Sequence, residues 1–145
     1  MTGDRSYTDS PVVTRTVRAV VPFVITYGIF TMFHGTKSVG GGFQGGVVVA
    51  AGSILLAFAF GVDQTQAALS PRLLTLVAAG GIGLFALVAA ASLALGGAFL
   101  DANVYDGLSI PSAAVYAVEM VEIGIGATVA SVIVVMFFTI ARAEL

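Results

Sequence analysis

The chain has 145 residues, 58% of them hydrophobic and only 10% charged, with a formal charge of −2. A soluble domain of this size carries about a quarter charged residues and cannot bury so much apolar surface, so the solvent for most of the chain is lipid. The small charge and the lack of any Lys/Arg run give no face for nucleic acid, the absence of cysteine excludes thiolate and iron–sulfur chemistry, and a single histidine excludes a His-cluster metal site, so no metal and no cofactor is expected.

Read in chain order, residues 1–16 form a polar lead rather than a signal peptide, because the apolar core starts late and further apolar stretches follow. Four stretches then approach or exceed the roughly 20 apolar residues that cross a bilayer. They predict an all-α integral membrane protein with spans at residues 17–33, 43–62, 73–99 and 113–140, a single membrane domain over 17–140, and a tail at 141–145. Pro22 lies near the start of the first span, where it marks a first turn or a mild kink. His34, at the outer end of that span, has the chemistry to relay protons near neutral pH, although a lone histidine at a membrane boundary also serves as an interfacial polar residue.

Next comes the run Gly40, Gly41, Gly42, Phe43, Gln44, Gly45 and Gly46. It contains the letters GxGxxG, and Asp63 follows about 20 residues on, as a dinucleotide fingerprint would require. No strand precedes it, and Asp63 sits a whole span away, some ~30 Å, so that reading fails. The run reads instead as a tight turn that glycine's conformational freedom permits. Within the second span, Gly42, Gly46, Ala50, Ser53 and Ala57 fall on one narrow stripe, the kind of face on which membrane helices approach closely. The third span carries Gly80, Gly81 and Gly83 and no charge, which predicts a tightly packed or locally flexible helix.

The fourth span holds Glu119 and Glu122, the ionisable residues that lie well inside an apolar stretch. Their i, i+3 spacing puts them on one helical face, continued by Gly126 and Ala130. Each costs about 2.5–3.5 kcal/mol at a span centre, against a return of roughly 0.3–0.6 kcal/mol from each Val, Ile or Phe. Insertion is feasible only if the carboxylates face protein or water. They are therefore candidate proton or cation sites, with Glu122 the deeper; a polar contact with a neighbouring subunit, or snorkelling toward the outer surface, is the competing use.

Charge asymmetry sets the expected orientation. Arg5, Arg15, Arg18, Arg72 and Arg142 fall on one side of a four-span chain and Lys37 on the other, which places both termini and the 63–72 connection in the cytoplasm.

The stretch His34-Gly35-Thr36-Lys37-Ser38-Val39-Gly40-Gly41-Gly42-Phe43-Gln44-Gly45-Gly46 resembles the signature of the MrpB/MnhB family, small membrane components of Mrp-type multisubunit sodium/proton antiporters. The later Val121-Glu122-Ile123-Gly124-Ile125-Gly126-Ala127-Thr128-Val129 is similar to that family's fourth helix. Val39 stands where the family usually has proline, and Thr36 where a second histidine is often found. The resemblance implies a small subunit of a complex in the cell membrane. That complex exchanges cytoplasmic Na+ for external H+ on the proton-motive force, serves Na+ and pH homeostasis, and contains large subunits that resemble those of respiratory complex I. Glu122 carries over as the matched acidic position and His34 in part, while Glu119 rests on the physical argument alone. Two alternatives remain open at this point: a related subunit of a membrane-bound hydrogenase-type complex, and a self-sufficient homodimeric transporter. A membrane enzyme is the weakest reading, since no nucleophile–base pairing is visible.

Overall fold

The computed structural model describes residues 10–35 and 41–143. Among these the chain is all-helical, and four helices are long and apolar enough to cross a membrane. Gly40 of the glycine run, together with Arg5, Thr36, Lys37 and Val39, lies outside the described residues.

Helix α1 spans Pro11–Phe33. It begins six residues before the predicted span, because Pro11 at the first helical position comes with its φ already set and with no N–H to leave unpaired. The polar residues that follow are helical without being buried in hydrocarbon. Pro22 therefore sits mid-helix, not in a first turn. It removes one backbone donor, and the Thr26 hydroxyl donates to the Pro22 carbonyl at 2.7 Å.

Helix α2 spans Gly41–Phe60. Its end is set by Gly61, whose φ of +93° turns the chain sharply. A seven-residue helix α3, Val62–Ala68, follows where the sequence suggested only a polar connection. Ser70 then caps α4, Pro71–Ala94, by accepting from the Leu73 N–H at 3.3 Å, with Pro71 again at the start.

Helix α4 stops five residues short of the predicted span end. Gly96 (φ +86°) donates to the Leu93 carbonyl, and Gly97 donates to the Ser92 carbonyl, both at 3.0 Å. This is a Schellman termination, which consumes the last carbonyls and reverses the chain. The returning segment is pinned by Ser92, fully buried, whose hydroxyl lies 2.8 Å from the Ala89 carbonyl and 3.0 Å from that of Ala98. The same oxygen accepts from the Leu100 N–H at 3.0 Å. Tyr105, in a short 3-10 turn at Ala102–Gly107, donates to the Val88 carbonyl at 2.6 Å. Helix α5, Ala113–Ala143, completes the chain and runs on three residues past its predicted end.

The long helices stand in the order α1, α2, α5, α4, each packed on the next. Successive helices alternate in direction, so α2 and α5, the central pair, run parallel. Close approach depends on small residues. Gly42, Gly46, Ala50, Ser53 and Ala57 are all buried on α2, and α4 crosses α5 where Gly81 faces Gly124. There the Thr128 hydroxyl also reaches the Ala78 carbonyl at 3.2 Å. Of the three glycines in α4, Gly80 and Gly83 face open space, so close packing is confined to Gly81. The main apolar cluster, Ala50, Ala57, Leu74, Val134 and Phe138, fills the other end of the central pair. At that end the Arg18 guanidinium lies 5.4 Å from the Phe60 ring centre, a cation–π contact. Arg15, Arg72 and Arg142 belong to the same end, given that Thr14 reaches the Ala59 carbonyl and that Arg142 and Pro71 line one cleft. Large apolar side chains such as Phe23, Phe43, Leu76 and Leu87 point outward, as lipid or a partner protein requires.

Candidate functional site

The glycine run, read from sequence as a turn, forms the opening turns of α2 from Gly41 onward. Helical geometry divides its residues between two faces. Gly41, Gly42, Gly45 and Gly46 are buried, while Phe43 and Gln44 are exposed. Each buried glycine has a specific neighbour. A methyl group on Gly42 would strike the backbone carbonyl of Glu122, and one on Gly46 would lie 2.6 Å from the Gly126 carbonyl oxygen. On the opposite flank, Gly45 abuts Met32 and the Gly28 carbonyl of α1. The Met32 side chain also reaches Gly126, so it wedges into the place where α1, α2 and α5 meet.

Glu122 sits one helical turn above this wedge, toward the start of α5. Its carboxyl group occupies space left by two glycines at the α1–α2 connection. A methyl on Gly35 would coincide with the carboxyl itself, and one on Gly41 would come within 3.0 Å of Oε1. Gly41 has a φ of +53°, a conformation that glycine alone adopts cheaply. The first N–H groups of α2 start at this point, so the positive end of its dipole lies beside the carboxyl. Glu122 Oε2 is buried and has no hydrogen-bond partner among the described residues. Such an atom costs about 1–3 kcal/mol or more when left unpaired, and native structures keep few of them.

Glu119, one turn nearer the start of α5, is half-buried on the same face. His34 is exposed and stacks on Phe30, with ring centres 4.0 Å apart and an interplanar angle of 26°. It immediately precedes Gly35, which borders the carboxyl. Among the described residues no group of three or more His, Cys, Asp or Glu is arranged to hold a metal ion. Sequence reasoning missed Gly28, Met32 and Gly35 as parts of the site; two glycines seven residues apart, one inside α1 and one just past its His34 cap, were the available signal.

These features define a multi-pass membrane protein whose seam of facing glycines holds a carboxylate at the mouth of a helix junction. A family model described as a domain related to the MnhB subunit of Na+/H+ antiporter matches residues 12–135. The chain is 32% identical over 136 residues to a protein of Staphylococcus haemolyticus (strain JCSC1435) named "Putative antiporter subunit mnhB2", covering 91% of this chain and 95% of that one. It is also 39% identical over 57 residues to the like-named protein of Staphylococcus aureus (strain Newman), covering 39% and 40% of the two chains. The chain belongs to the MnhB family.

Proposed function

We propose that this protein is a small subunit of a hetero-oligomeric antiporter of the plasma membrane that exchanges monovalent cations, Na+ above all, for protons, and that Glu122 takes part in moving the ion or the proton. The observation that carries the reading is the Oε2 of Glu122, buried and without a hydrogen-bond partner among the described residues, inside a cradle that two glycines leave open. A carboxylate kept only to join helices would find a donor. One kept without a donor is available to a proton or a cation. The names of the relatives favour the antiporter over the hydrogenase-type alternative. They also favour a subunit over a self-sufficient transporter.

In this reading the arginine-bearing end faces the cytoplasm, and the Glu122 mouth faces outward. The proton-motive force drives exchange, Na+ and pH homeostasis are the output, and the partners include large subunits akin to those of respiratory complex I. Outward-facing Phe43 and Gln44, beside the cradle, supply a contact for such a partner. Glu119 supports Glu122 electrostatically, and His34 stands at the approach.

Glu122→Gln keeps the shape and hydrogen-bonding capacity but cannot ionise. Sodium/proton exchange in membrane vesicles should fall at least several-fold or change its pH profile, while recovery of the other subunits stays normal; Glu119→Gln should be milder. Unchanged exchange from about pH 7 to 9 in an assembled Glu122→Gln complex would leave Glu122 a structural residue and end the proposal.

A further inference from the structure

A second unpartnered polar atom lies at the opposite end of the molecule. Gln66 of α3 is only 9% exposed, and its Oε1 is buried with no hydrogen-bond partner among the described residues. It lines a cleft of about 230 Å³ together with Pro71, Val135, Phe138, Thr139 and Arg142. Arg142, in the last turn of α5, is exposed and has no ion-pair partner among the described residues. Among the described residues the cleft thus combines a buried acceptor without a donor, a planar cation without an anion, and a floor of Pro71, Val135 and Phe138.

We propose that this cleft binds the headgroup of a membrane phospholipid whose phosphodiester carries a hydrogen-bond donor, a glycerol hydroxyl or an ethanolamine ammonium. The guanidinium fork of Arg142 matches two phosphate oxygens. Gln66 Oε1 has almost no exposed surface, so a turn of its amide toward the cleft opening brings it to the hydroxyl or ammonium arm, the donor it lacks. Phe138 and Val135, one and two turns deeper along α5, accept the glycerol backbone and the first acyl carbons. The depth is right for a headgroup: the cleft opens where α5 ends and α3 links α2 to α4, the level at which arginines meet the membrane surface. The site is independent of Glu122, which lies at the other end of α5.

The test is native mass spectrometry of the full-length chain in detergent micelles, and of the complex extracted from membranes, with phosphatidylglycerol, phosphatidylethanolamine or phosphatidylcholine added. Phosphatidylcholine has the phosphate but no donor. The first two lipids should bind about five-fold more tightly than it does, the worth of one ordinary hydrogen bond. Gln66→Leu should erase that preference, and Arg142→Gln should weaken all three lipids about ten-fold. Arg142 is exposed in a terminal turn, so its variant folds, as far-UV circular dichroism will check, and the result does not hang on the Gln66 variant. Equal binding of the three lipids by the unaltered chain, or unchanged binding after Arg142→Gln, overturns the proposal. So does displacement by excess glycerol 3-phosphate, which would make the ligand a soluble phosphate. An intact complex that carries no lipid there also overturns it, since a neighbouring subunit would then fill the cleft.

Discussion

Replacing Gly46 with alanine adds a single methyl group to the seam between α2 and α5, and the geometry fixes what that methyl meets. It would sit 2.6 Å from the Gly126 carbonyl oxygen, 3.0 Å from the Gly126 Cα and 3.1 Å from the Val129 Cβ. Two of these three atoms are backbone and cannot rotate away. An ordinary C···O contact needs about 3.3–3.6 Å, so the helices must part by roughly 0.7–1 Å. A gap of that size forfeits a quarter to a half of each neighbouring dispersion contact. Overpacking of this kind costs about 1–3 kcal/mol, offset by the roughly 0.8–1 kcal/mol that alanine gains over glycine within a helix. The net cost is about 0–2 kcal/mol, so at about 2–4 °C per kcal/mol for a chain of this size the midpoint of thermal inactivation should drop by about 3 °C, and by no more than about 9 °C. Gly83→Ala is the internal control, since nothing lies within 4 Å of the position its methyl would take. Propensity alone then acts, and the midpoint should hold or rise slightly. The chain lacks tryptophan, so the readout is the fraction that stays monodisperse on size-exclusion chromatography after heating in micelles. If both variants shift the same way, contact at the seam is not what governs the cost.

Ser92→Ala removes the donor and acceptor that hold residues 98–100 against α4; protease cleavage between residues 95 and 112 should speed up several-fold, with a stability loss of about 1–3 kcal/mol, and an unchanged cleavage rate would deny the hydroxyl its anchoring role. Gly35→Ala should expel the Glu122 carboxyl from its cradle, lowering exchange as Glu122→Gln does while leaving subunit recovery near normal; full activity would place the working carboxylate elsewhere. A cysteine at Asp106 should react with impermeant maleimide from outside the cell and one at Gln64 should not, both being exposed positions; the inverse pattern would reverse the orientation. Gln66 is unsuitable for that labelling, because it is buried whichever way the chain runs.

The four spans were legible because lipid imposes a length on apolar stretches that few other constraints can mimic. Their ends were less so, since helices extend beyond hydrocarbon wherever the backbone can cap itself. Pro11 prolongs α1 through polar residues, and Gly96–Gly97 stop α4 while the sequence is still apolar. Helix α3 escaped notice because seven residues are too few for an apolar period to show. Glu122 stood out by the cost of its charge, and the stripe on α2 by its spacing. What no spacing could reveal is the register between α2 and α5, segments about 80 residues apart whose alignment brings Gly42 against Glu122 and Gly46 against Gly126. The cradle is a product of that register, as is the inward set of the four glycines with Phe43 and Gln44 turned away from it.

The parallel pairing of α2 and α5 also bears on how the protein is made. Helices α1 and α2 can leave the translocon as one antiparallel hairpin, and α4 and α5 as another, each held by its own close crossing: Gly28 on Gly45 in the first, Gly81 on Gly124 in the second. Neither hairpin by itself contains the site. The first brings Gly35 and Gly41 with nothing to surround, and the second brings Glu122 exposed to lipid, which is its least favourable setting. Docking of the two relieves that exposure and builds the cradle in the same event, in keeping with helices that insert first and associate afterwards. The carboxylate thus ties its own shelter to the docking of the two halves: apart they leave the acid uncovered, and together they enclose it beside Gly35 and Gly41.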